Sequence, residues 1–272
     1  MGTLLLDAGI PLERCLEELC VSEPDRIAAI HQQYIAAGAR VIETNTFGGN
    51  SVRLERFGFG GRVAEINRAA AGIAAKAARG KDVYVAGSVG PLGIDGEEAA
   101  ARGIDRSEVF HEQIGALLDG GVDLIFLETF MDLVEMESAL HAANASGADL
   151  LICSFACAPD GRISPEIILV DAFARLHELG AKIVGANCIN GPQGMAKALE
   201  SVPGKYILSA YPNAGYPKYV EGRYVYPSTP DCFAHSAREM VAEGARLIGG
   251  CCGTNAKHIA AIAAAVAGLR PV

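Results

Sequence analysis

A chain of 272 residues, 50% hydrophobic and 20% charged, carries enough apolar side chain for a full core, which excludes intrinsic disorder. With 23 basic against 32 acidic residues and a net charge of −9, it offers no basic face to nucleic acid or to an anionic membrane. No apolar stretch spans a bilayer and no positively charged leader opens the chain, so a cytoplasmic protein is expected, whose 8 cysteines are no disulfide scaffold.

In chain order, residues 3–6 are a short apolar segment that makes at best a poor strand. Ser22 then opens Ser-x-x-Asp, a capping-box variant, before a helix whose Ile27, Ile30, Tyr34 and Ala37 share one face. From there one pattern recurs: small residues end a helix, Gly follows, and a short apolar strand begins. It reads Ala-Gly-Ala-Arg-Val-Ile-Glu at 37–43, Gly-Gly-Val-Asp-Leu-Ile-Phe-Leu-Glu at 120–128 and Ser-Gly-Ala-Asp-Leu-Leu-Ile at 146–152. It returns as Leu-Gly-Ala-Lys-Ile-Val-Gly at 179–185 and Glu-Gly-Ala-Arg-Leu-Ile-Gly at 243–249. Glycine suits the left-handed position that closes a helix, and the apolar run suits a strand buried on both faces.

Two further strands, Val83–Gly87 and Tyr206–Ala210, fit without the prefix, giving strand starts near 41, 83, 123, 150, 182, 206 and 246. Asp105, Asp132 and Thr229-Pro230 are helix starts, and the last helix runs from about Asn255 to Ala267. Sustained strand–helix alternation implies an α/β fold with a parallel sheet. A (β/α)8 TIM barrel is preferred to a doubly wound sheet, because no Gly-x-Gly-x-x-Gly follows the first strand and no composition shift marks a second domain. Seven units are one short of eight, so the first strand is expected to be missing or truncated at the N-terminus, and residues 1–272 to form a single domain.

Barrel sites lie at the C-terminal ends of the strands. Those ends read Glu43-Thr44-Asn45, Ser88, Glu128-Thr129, Asn187-Cys188, Asn213 and Cys251-Cys252. Three cysteines therefore converge on one rim, and three thiolates suit a catalytic zinc that keeps one position open for substrate. Placing the vicinal pair on one side calls for a backbone kink after Gly249-Gly250. A strained vicinal disulfide, or a zinc-free redox pair, is the competing reading. Cys15, Cys20, Cys153, Cys157 and Cys232 read as packing residues, and the six histidines all fall within or beside helices. Glu128 ends an otherwise apolar strand, so burying it calls for a cation or a donor, and it is the first candidate to hold an ammonium group. Glu43 is similar, but Thr44 and Asn45 beside it are positioned to fix it structurally. Gly87–Gly93 reads as a tight turn on the rim. The long loop opened by Tyr-Pro-Asn-Ala-Gly-Tyr-Pro at 211–217 is of the kind that often carries function.

The segments Ile-Glu-Thr-Asn-Thr-Phe-Gly-Gly-Asn at 42–50, Gly-Ser-Val-Gly-Pro-Leu-Gly at 87–93, Leu-Glu-Thr-Phe at 127–130, Gly-Ala-Asn-Cys at 185–188, Pro-Asn-Ala-Gly at 212–215 and Gly-Gly-Cys-Cys-Gly-Thr at 249–254 resemble, in this order, the homocysteine S-methyltransferase family. The resemblance implies a (β/α)8 barrel that holds one zinc through Cys188, Cys251 and Cys252, with the homocysteine sulfur in the open position and methionine as product. It implies that Glu128 holds the amino group and that Asn213 matches a residue that approaches zinc when substrate is absent. The substrate carboxylate is expected at backbone amides around Met1–Thr3, so Gly2 and Thr3 join the substrate pocket, as does Asn45 of the first segment. Family members precede Met-Gly-Thr with a strand ending in Asp-Gly-Ala or Asp-Gly-Gly, which this chain lacks, and the loop Cys157–Pro165 is short by comparison. The methyl donor is left open among S-methylmethionine, S-adenosylmethionine, betaine and, through another domain, methylcobalamin or methyltetrahydrofolate. The alternative the resemblance implies is a homocysteine-binding module of a larger or multi-chain methionine synthase, partnered by a folate- or cobalamin-binding protein or domain and not catalytic alone.

Overall fold

A computed structural model describes residues 1–189, 191–220 and 223–269. Its centre is a parallel sheet of seven strands: β1 (Val41–Glu43), β2 (Tyr84–Val89), β3 (Leu124–Phe130), β4 (Leu151–Phe155), β5 (Ile183–Asn187), β6 (Ile207–Tyr211) and, after a small antiparallel hairpin of β7 (Lys218–Val220) and β8 (Arg223–Val225), β9 (Ala245–Ile248). Every strand of the large sheet pairs with its neighbour in chain order and in parallel, which is the signature of repeated strand–helix crossovers. Each expected strand start lies within one residue of the observed one.

The repeat works as its composition implies. Gly38, Gly121, Gly147, Gly180 and Gly244 follow helix ends with φ between 80° and 96°, where a side chain would be strained. Asp105, Asp132 and Thr229 cap their helices by accepting from Glu108 N, Val134 N and Cys232 N, and Asn255 forms a reciprocal capping box with His258. Ser22 does not cap. It ends a short helix and its hydroxyl donates to Glu18, while the next helix, Pro24–Ala36, starts at a proline that has no N–H to satisfy.

The sheet curls around an interior cluster of Ala86, Leu124, Phe126, Ile152 and Ile183, against which Val41, Tyr211 and Leu247 pack. On its outer face a larger core joins the strands to the surrounding helices. The curl is open: β1 and β9 are its edges, and among the described residues no eighth strand joins them. Residues 3–6 do not supply one, because they belong to a helix, Gly2–Asp7. Three consecutive leucines favour a helix over an extended chain, and Leu5 buries itself against Leu19, Ile27 and Ile30 rather than along a strand edge. The long loop after β6 is interrupted by the β7–β8 hairpin. Among the described residues, no helix is long and apolar enough to cross a membrane.

Candidate functional site

The polar strand ends gather around a cavity of 1410 Å³ that runs through the curled sheet. On one side of its rim the sulfurs of Cys188, Cys251 and Cys252 meet: Cys251 to Cys188 is 3.1 Å, Cys188 to Cys252 is 3.7 Å and Cys251 to Cys252 is 3.9 Å. The vicinal pair is therefore not a disulfide, and all three are free thiols. Tetrahedral zinc with bonds of about 2.3 Å sets its sulfurs roughly 3.8 Å apart, so this donor set fits such an ion with one position left for another ligand. The thiols behave as a unit. Cys188 and Cys251 donate to Cys252 and pull its pKa down to about 3, while Cys251, giving its proton to its neighbours, is held well above the usual thiol value. Three hydrogen-bonded sulfurs this close together form a donor set suited to a cation.

Backbone geometry explains the convergence. Two left-handed residues border the cluster: Cys188, with φ 57°, just past the end of β5, and Gly253, with φ 79°, right after the vicinal pair. Gly249 and Gly250 are needed for closeness instead: a Cβ on Gly249 would lie 2.5 Å from the Tyr211 ring, and one on Gly250 2.6 Å from the Thr254 side chain. Main-chain bonds then fasten the loop, from Cys188 N to Tyr211 O, Cys251 N to Pro212 O and Ala214 N to Cys252 O. Asn213 joins these strands: its Oδ1 accepts from Gly191 N at 2.9 Å and Gly215 N at 3.0 Å, and its Nδ2 donates to Cys188 O at 3.3 Å.

Across the cavity stands Glu128, only 9% exposed, accepting from Ser88 Oγ at 2.5 Å. Burial first, and the charge of Glu43 second, raise its pKa to about 8. Glu43 lines the same space and is raised to about 7, again by burial. Gly2 and Thr3 also line the cavity, at the start of the first helix, and Thr3 Oγ1 accepts from Gly253 N at 3.4 Å, next to the thiols. Asn45 borders the cavity, but its amide donates to Leu16 O at 2.6 Å, tying it to the N-terminal segment. The six histidines lie on or within helices, none among the thiols.

Two features were not singled out from the sequence. Thr129 adopts φ 62° at an irregularity of β3 right after Glu128, and Asn187 clamps it, accepting from Thr129 N at 2.8 Å and donating to Thr129 Oγ1 at 2.6 Å. Thr129 and Asn187 were visible as polar rim residues, yet only their tertiary pairing gives them a task. His31 is 2% exposed, with Nε2 unpartnered, and lines the cavity from a helix.

The chain is similar to known proteins over nearly its whole length. The family described as Homocysteine S-methyltransferase matches residues 1–266. Methionine synthase of Mycobacterium leprae is 32% identical over 290 residues, a match covering 98% of this chain and 24% of that protein. Its counterpart in Mycobacterium tuberculosis is 32% identical over 286 residues with the same coverage, so the chain spans about a quarter of the length of these relatives. Among solved structures, the metallated form of the homocysteine methyltransferase MmuM from Escherichia coli superposes with a TM-score of 0.78 at 27% identity, covering 97% of this chain and 93% of that one.

Proposed function

The chain belongs to the homocysteine S-methyltransferase family, a family of methyltransferases, and we propose that it is a zinc-dependent member that activates the homocysteine thiol for methyl transfer to give methionine. The observation that carries this reading is the thiol cluster: three cysteine sulfurs from two separate rim loops lie within 4.8 Å of one another. A zinc ion bound there would lower the pKa of a thiol and so supply a thiolate nucleophile at neutral pH. Cys188, Cys251 and Cys252 would be its protein ligands. Asn213 holds the carbonyl of Cys188 and the two flanking loops, fixing the sulfurs before any ion arrives. Glu128 takes the substrate ammonium, which supplies the positive charge that a buried carboxylate needs. Gly2 and Thr3 border the place proposed for the substrate carboxylate, and Asn45 supports that wall.

The same reading takes residues 1–272 as one homocysteine-binding domain and the curled sheet as a (β/α)8 barrel, with the gap between β1 and β9 as the place of one further strand. A second reading has specific support, because the chain spans only 24% of the methionine synthases it matches. In it the chain is the homocysteine-binding module of a larger or multi-chain enzyme, and a folate- or cobalamin-binding domain or protein brings the methyl group.

One assay series separates the two. The zinc-loaded protein is incubated with homocysteine and, in turn, S-methylmethionine, S-adenosylmethionine, betaine and methylcobalamin, and methionine is quantified. Turnover with one of the small donors supports the free-standing enzyme. Metal-dependent homocysteine binding without turnover by any donor supports the module. Absence of metal and of homocysteine binding contradicts both.

A further inference from the structure

We propose that Glu43 and Glu128 form a single ammonium subsite, so that selection of an α-amino thiol rests on two carboxylates and not on Glu128 alone. This rests on the homocysteine reading above and adds a residue to it. Val41 of β1 packs against the interior cluster and Glu43, on the same face of the strand, lines the cavity, while the Ile42 side chain packs with Ala74, Ala78 and Val85 on the other face. Glu43 is in register with Ala86 of β2, and two residues further along the same strand Ser88 donates to Glu128. The two acids thus stand on the strands either side of β2 and line one space.

Their bonding differs in a telling way. Glu128 has the Ser88 hydroxyl. Among the described residues, Glu43 has no donor at all. The other titratable groups that feel it are Glu128 and the phenols of Tyr34 and Tyr211, each of which it makes harder to ionise. A carboxylate in such surroundings keeps its proton or takes a cation. A second observation says the cavity is built for a polar occupant: the His31 imidazole, 2% exposed, lines it with Nε2 unpartnered. An amino acid head group entering from the thiol side brings an ammonium to the two acids. When it binds, a proton held by the pair leaves to solvent, and the positive charge it carried is replaced by that of the ammonium.

The test compares the metal-loaded wild type with Glu43→Gln and Glu43→Asp, titrated calorimetrically with homocysteine and with 4-mercaptobutanoate, the same thiol without its amino group. Metal content and thermal unfolding are recorded for each protein. The expected result is that Glu43→Gln weakens homocysteine binding about 10- to 100-fold, the size of one lost charge-assisted bond, and leaves 4-mercaptobutanoate unchanged. Glu43→Asp recovers part of the loss. Proton release on homocysteine binding, read from buffers of different ionisation heat, falls in Glu43→Gln. Equal homocysteine affinity in wild type and Glu43→Gln overturns the proposal, as does equal weakening of both thiols, which marks a purely structural role. If the wild type holds metal but neither thiol binds, the homocysteine reading fails and the subsite falls with it.

Discussion

The two sides of the cavity are built to different degrees. On the β5–β9 side, three sulfurs are fixed by main-chain bonds, by the three contacts of Asn213 and by glycines that let Tyr211 and Thr254 close in. On the β1 side an open strand edge, an acid without a donor and a histidine without a partner face the same space. The contrast teaches that the proposed metal site is prepared by the chain itself, whereas the wall facing it is left for an occupant to complete. Preorganisation on one side and unmet polar groups on the other are what a site needs to grip a sulfur firmly and to read the rest of the molecule.

The largest expected effect breaks the prepared side. Replacing any one of Cys188, Cys251 or Cys252 with Ala removes a third of the protein ligands and lowers zinc affinity by at least about 100-fold, as checked by metal analysis after dialysis against a weak chelator. Stoichiometric zinc in such a variant contradicts the assignment. Next comes the acidic wall. Glu43 and Glu128 have folded-state pKa values raised to about 7 and about 8 from the ordinary 4.5, so the stability they allow is fully present below about pH 4.5 and is lost as pH rises through 8. Urea midpoints show it as a gain for Glu43→Gln over wild type at pH 8.5 that is absent at pH 5. A smaller effect sharpens the contrast from the prepared side: Asn213→Ala keeps every sulfur but loosens their frame, and zinc affinity falls about 10- to 100-fold in a competition titration. The smallest concerns Ser88→Ala. Losing the one hydroxyl that donates to Glu128 costs about 1 kcal/mol in urea unfolding, more at pH 9, where the carboxylate is ionised, than at pH 5.

Much of the frame was legible because its signals are local. The helix-ending glycines, the apolar runs that follow and the caps at Asp105, Asp132 and Thr229 each act within a few residues, and the strand starts they imply match to within one position. Cys188, Cys251 and Cys252 were legible as a set because strand ends of a curled parallel sheet must meet at one rim. What was not legible depends on partners far away in the chain. Ser22 caps nothing, because the next helix starts at Pro24, which has no N–H to satisfy, and residues 3–6 became a helix once Leu5 found Leu19 and Ile27. The left-handed turn at Cys188, held by Asn213 and Tyr211, was not foreseen. The clamp of Asn187 on Thr129, 58 positions apart, leaves no trace in local pattern.

The most direct test of the central claim is X-ray absorption at the zinc edge, with and without homocysteine. The account predicts three sulfur neighbours at about 2.3 Å and one lighter atom in the free protein, becoming four sulfurs when homocysteine is added. A spectrum with fewer than three sulfurs, or one that homocysteine leaves unchanged, contradicts it.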